Sequence, residues 1–177
     1  MLHPIPIGID DFRTLRQSRL EYVDKSDLIR QLLDRSGVQV VLLPRPRRFG
    51  KTLNLSMLRA WFEKRDEDAA ALFEGLSIWQ AGETYRCHFQ RYPIIHFNFK
   101  GTKASSFADC WGAVTRNIEA VFREHLYLLK SDRLDEWQIR DFRSILDRSA
   151  DRALYARGLL DLSGYLHAHH GEKVVIL

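Results

Sequence analysis

The stretch Leu43-Pro44-Arg45-Pro46-Arg47-Arg48-Phe49-Gly50-Lys51-Thr52 decides how this chain is read. It follows a continuous apolar run, Val38-Gln39-Val40-Val41-Leu42-Leu43, of the kind that forms a strand buried on both faces. It leads into Leu53-Asn54-Leu55-Ser56-Met57-Leu58-Arg59-Ala60-Trp61-Phe62, which is apolar at helical spacing and rich in helix formers. A strand, a tight loop ending Gly-Lys-Thr, then a helix is the setting a phosphate-binding loop requires. Gly50 lets the backbone approach a phosphate closely, and the helix N-terminus offers unpaired N–H groups to the anion. Lys51 is placed to reach the terminal phosphates and the Thr52 hydroxyl to ligate magnesium.

The match to G-x-x-x-x-G-K-[ST] is incomplete, because Arg45 stands where the first glycine belongs. Arg45 precedes a proline, which pushes its backbone toward extended conformations and away from positive φ. Pro46 has no N–H to donate. The front of the loop therefore differs from the usual cradle, and Arg45, Arg47 and Arg48 supply cations there instead.

The segment from Arg45 to Leu58 resembles the phosphate loop of the bacterial predicted AAA-ATPase-like family. It is also similar to the G-P-R-R-x-G-K-T loops of archaeal-type ATPases, with arginine in place of the first glycine. The resemblance implies an α/β fold: a P-loop NTPase-like parallel sheet flanked by helices. It also implies ATP with magnesium as the ligand, and a restriction-nuclease-like domain following the ATPase domain. The choice of ATP over GTP comes from the resemblance alone. The binding set so read is Arg47, Arg48, Phe49, Gly50, Lys51, Thr52 and Leu53, with Thr52 also the metal ligand and no catalytic residue assigned.

Composition sets the frame. A chain of 177 residues, 45% hydrophobic and 28% charged, suits one domain with a sizeable core. The net charge of +4, from 27 Lys and Arg against 23 Asp and Glu, is too small to argue nucleic-acid binding by itself. Cys87 and Cys110 form neither a metal-site spacing nor a disulfide framework. No apolar run is long enough for a membrane span, and residues 1–6 lack the features of a signal peptide. A cytoplasmic location with no membrane partner is the simplest expectation.

Residues 1–36 read as an entry segment and a helix. Arg13, Arg16 and Arg19 are expected on a solvated face. Tyr22-Val23-Asp24-Lys25-Ser26 is expected to cap a helix whose apolar face is Leu28, Ile29, Leu32 and Leu33. The family carries a closely similar Tyr-Val-Asp-Lys segment, which implies that Tyr22 can stack on a base and Lys25 touch phosphate. Capping and packing explain the same residues. Residues 38–62 hold the strand, loop and helix, and a short helix follows over 69–76. The span 77–92 is expected to be an irregular connector in which Trp79 and His88 are packing or surface residues, not site residues.

Residues 93–177 read as a second strand, a helical region and a third strand. Pro93–Phe99 is the second strand, with His96 a structural residue. Phe107, Trp111, Val114, Ile118 and Val121 mark a long helix capped by Ser105 or Ser106 and reaching about Leu129. Ser131–Ala150 is a second helical region with acid–arginine pairs on a solvated face. A third helix from Arg152 to Ala168 is expected to pack through Leu154, Leu159, Leu160, Leu162 and Leu166. His167, His169 and His170 suit the negative end of its dipole.

Lys173–Leu177 reads as the third strand. In the resembling family that strand runs into an acidic motif that holds magnesium and polarises water, and no substitute for it stands elsewhere in the chain. The expectation is an incomplete fold, truncated at the acid-bearing strand, that binds nucleotide without efficient hydrolysis. A further strand is expected between Val38–Leu43 and Lys173–Leu177, with Pro93–Phe99 on the far side of the latter. Two alternatives stay open: a nucleic-acid-binding module built on the arginine loop, or a non-functional fragment. For the full-length protein, a nucleic-acid or protein partner is a further expectation.

Overall fold

A computed structural model describes residues 4–35, 37–44, 46, 49–65 and 67–177. The chain divides into two compact units, Met1–Tyr92 and Pro93–Leu177. Secondary structure among the described residues is mostly helical, with a small parallel sheet of two strands, which is consistent with the α/β class.

In the first unit, α1 (Phe12–Gln17) begins where the Asp11 carboxylate accepts the Thr14 N–H at 2.7 Å. Arg16 does not sit on a solvated face. Its guanidinium donates to the carbonyls of Leu72 and Glu74, and Arg13 pairs with Glu67 at 3.1 Å. The orphan carbonyls at a helix end attract such donors, and no local sequence pattern announces them. Next come α2 (Asp27–Leu33) and α3 (Lys51–Phe62). The apolar stripe of α3 buries Met57, Leu58, Trp61 and Phe62. Trp61 lies edge-on to Phe73 and Phe89, each at 5.0 Å, and to Trp79 at 6.2 Å.

The helix expected over 69–76 is shorter, α4 (Ala70–Phe73), and the supposed connector contains α5 (Ser77–Gln80) and α6 (Glu83–Arg86). These turns are too brief to show helical periodicity, and burial of Ile78 and Trp79's contact with Trp61 fix them. The chain then runs beside the end of α3, where the Lys64 N–H donates to the Tyr92 carbonyl at 2.9 Å.

In the second unit, β1 (Ile94–Ile95) pairs in parallel with a later strand. Between the two strands stand α7 (Phe107–Glu124), a 3₁₀ turn at Leu126–Lys130, α8 (Glu136–Leu146) and α9 (Arg152–His170). The later strand is β2 (Val175–Ile176), with Ile94 opposite Val175 and Ile95 opposite Ile176. Helices between parallel strands are what such a crossover requires. Ser106 caps α7, while Asp135 and Gln138 form a reciprocal capping box on α8. Gly171, at φ 67°, ends α9 in the left-handed conformation that stops a helix. Phe122, Phe142, Ile145, Leu162 and Leu166 form the core, with Gly158 bringing α9 close to Ile118 and Ile145.

Several expectations need correction here. Val38–Leu43 forms no strand: Val40 and Leu42 are each 84% exposed, and Gln39–Leu43 make no backbone hydrogen bond among the described residues. A strand exists through its ladder, so β propensity without a neighbouring strand is not realised. The long helix stops at Glu124 rather than Leu129, because the chain tightens into the 3₁₀ turn. The stripe misplaces Phe107, which is 66% exposed at the helix start, beyond the reach of the core. Leu160 is also exposed, since the buried line of α9 runs through Tyr155, Gly158, Leu162, Tyr165 and Leu166.

Candidate functional site

The candidate site is the start of α3 and the loop before it. Arg45, Arg47 and Arg48 lie outside the described residues. Phe49, Gly50, Lys51, Thr52 and Leu53 are described and follow one another into the helix. Gly50 is the N-cap residue at φ 68°, ψ 23°. A β-carbon there meets no atom within 4 Å, so the backbone conformation, and not crowding, calls for glycine. The first intrahelical bond runs from the Asn54 N–H to the Gly50 carbonyl at 2.9 Å. The amides of Lys51, Thr52 and Leu53 therefore precede any intrahelical acceptor. Lys51 and Thr52 are exposed, Leu53 is half-buried, and Phe49 is 64% exposed.

The helix that presents these groups is held firmly further along. The Phe12 N–H donates to the Ser56 Oγ at 2.7 Å, and the Tyr22 hydroxyl donates to the Met57 Sδ at 3.2 Å. Tyr22 also lies edge-on to Phe12 at 5.4 Å, so the ring packs on the first unit's core instead of standing clear as a stacking surface. Burial pushes its hydroxyl pKa up. At the far end of α3, Glu63 accepts from Arg59 at 2.9 Å and Arg65 at 2.5 Å. Burial opposes its charge, but the two guanidinium groups prevail and hold its carboxyl below the usual range.

Sequence reading placed Asp24 in a capping segment but missed that it ties this segment to the rest of its unit. Asp24 accepts the N–H groups of Ser26 and Ser77, each at 2.8 Å. Burial raises the Asp24 pKa, yet these donors outweigh it and the net shift is downward. Ser26 gives no side-chain cap to α2, because its hydroxyl meets Ser77 Oγ at 3.0 Å and accepts the Ile78 N–H. Partners about fifty residues apart leave no local signal.

Chemically, an exposed lysine, an exposed hydroxyl and the first-turn amides of a helix can receive a polyphosphate. Among the described residues no group of three His, Cys, Asp or Glu side chains can hold a metal ion. A magnesium ion there would take Thr52 as its protein ligand, with phosphate oxygens and water completing the shell. Among the described residues no helix is long and apolar enough to cross a membrane.

Residues 6–177 match the family model described as predicted AAA-ATPase. A protein of Azotobacter chroococcum mcd 1, named "Uncharacterized protein in vnfD 5'region", is 32% identical over 111 residues. That alignment covers 62% of this chain and 20% of the relative, so the chain spans only a minor part of that protein's length. No solved structure matches the chain. With the family model covering nearly all of the sequence, and a left-handed glycine leading into a helix that begins Lys-Thr, the chain belongs to the predicted AAA-ATPase family.

Proposed function

We propose that the chain binds magnesium–ATP through a variant phosphate loop made of Arg47, Arg48, Phe49, Gly50, Lys51, Thr52 and Leu53. The observation that carries this reading is Gly50 in the left-handed conformation directly before α3, with Lys51 and Thr52 exposed at its first turn. The amides of that turn and the positive end of the helix dipole favour the phosphates. Lys51 supplies a charge to the terminal phosphates, and Thr52 supplies one oxygen to magnesium. Arg47 and Arg48 add positive charge where the usual loop has only backbone donors. Family membership supports ATP as the nucleotide. In the full-length protein the loop serves an ATPase.

Calorimetric titration with magnesium–ATP tests the proposal. Lys51→Ala should weaken binding by roughly 1–3 kcal/mol, the scale of a lost charge-assisted contact. Equal affinity of wild type and Lys51→Ala, with both folded by circular dichroism, would overturn it.

A further inference from the structure

The second unit carries an arginine stacked on two aromatic rings. The guanidinium of Arg152 lies over two aromatic rings, 5.0 Å from the centroid of Phe107 and 5.2 Å from that of Trp111. The two rings are nearly parallel, 15° apart, with centroids separated by 6.4 Å. Trp111 is anchored edge-on against the buried Tyr155, whereas Phe107 is left 66% exposed.

The charge placement is unusual in two ways. Arg123, Arg133, Arg140, Arg148 and Arg157 of this unit each meet a carboxylate. Arg152 meets none among the described residues. Arg116 and Arg143 share that lack, but no ring holds them. Arg152 is also the first residue of α9, and Phe107 the first residue of α7. The positive ends of two long helices therefore come together at the stack. A cation at a helix start is disfavoured by the dipole, where an acid would be stabilising. The sequence nevertheless holds an arginine there by cation–π contact with two rings.

We propose that Phe107, Trp111 and Arg152 form a platform for single-stranded nucleic acid. A base stacks on the exposed Phe107 ring, and a backbone phosphate meets the Arg152 guanidinium and the leading amides of α7 and α9. Both helices have their third amide engaged, by Ser106 and by Asp151, so the earlier amides remain for an anion. The carboxylates in the first turn of α7 and at the cap of α9 are engaged locally: Asp109 accepts from the Ser106 hydroxyl at 2.6 Å, and Asp151 accepts the Leu154 N–H at 2.7 Å. Exposed Lys100 and Lys103, in the segment leading into α7, add positive charge along the approach. Base–aromatic stacking beside a cation is sequence-tolerant, so the platform takes single strands without a fixed base order.

The test is fluorescence anisotropy of a labelled oligothymidylate against the full chain at several salt concentrations. Phe107→Ala and Phe107→Leu should each weaken binding by about tenfold and leave the salt dependence unchanged. Arg152→Ala should weaken binding and lower the slope of log affinity against log salt by about 0.7. Lys51→Ala should bind the oligonucleotide as wild type does, which separates this site from the phosphate loop. Undiminished binding by Phe107→Leu and Arg152→Ala would overturn the proposal. So would polyglutamate competing with the same sensitivity to both substitutions, which would make the patch a dock for an acidic protein segment. Loss of binding through Lys51→Ala alone would also overturn it.

Discussion

Arg148 Nε donates to Glu119 Oε2 at 2.5 Å across 29 residues of sequence, and it does so from a left-handed backbone at φ 57°. Arg123, one turn from Glu119 on α7, donates to the other carboxylate oxygen at 2.8 Å. A buried acid thus fastens the α8–α9 turn to α7. The hydrogen bonds from Arg148 and then Arg123 hold the Glu119 carboxyl below its usual range.

Because the folded pKa is depressed, the clamp contributes fully above the unfolded glutamate pKa of about 4.3 and is lost as pH falls through the folded value. Glu119→Gln should cost about 1 kcal/mol near neutral pH, a modest figure because both arginines are largely solvated. Below about pH 4 the gap between wild type and Glu119→Gln should narrow. Urea denaturation at a series of pH values checks both statements. A gap that stays constant into acid would contradict the clamp.

Gly50→Ala places a β-carbon on a residue at φ 68°. The left-handed conformation costs an L-residue about 1–2 kcal/mol, so the start of α3 should fray or reorient. Weaker magnesium–ATP binding with a small fall in thermal midpoint is expected. Calorimetry and thermal denaturation of the same samples separate the two effects.

Val40 and Leu42, each 84% exposed, offer an unpaired, uncharged stretch with high β propensity. Val40→Lys should reduce concentration-dependent light scattering of the isolated chain. It should leave the unfolding free energy within about 0.5 kcal/mol of wild type, since no packing is lost. Unchanged scattering would show that association runs through another surface.

Little or no ATP hydrolysis is expected from residues 1–177. Chemistry on a phosphoryl group needs carboxylates to help hold magnesium and orient water. Asp161 follows the apolar pair Leu159-Leu160, as an acid at a strand end would, but it lies on α9 and pairs with Arg157 at 3.0 Å. Asp147 likewise closes α8 and does not stand at a strand end. Substantial phosphate release abolished by Lys51→Ala would prove this expectation wrong.

Local physics made part of the molecule legible in advance. Gly50 before Lys51-Thr52 announces a left-handed turn into a helix, because only glycine adopts that backbone cheaply. Ser106 announces a helix start, because a side-chain oxygen three residues from an orphan amide satisfies it, whereas the caps at Asp135 and Asp151 emerge only in the structure. Ile94 and Val175 announce strands through their apolar, β-branched runs, and these two do pair. Everything that joins distant residues was decided by tertiary structure. Arg148 and Glu119, Asp24 and Ser77, and Arg152 with Phe107 and Trp111 have no local spacing, so only folding brings their charges and rings within reach. The same rule accounts for Val38–Leu43. Its sequence has the propensity of a strand, but a ladder is a relation between two segments, and propensity in one segment cannot supply the other.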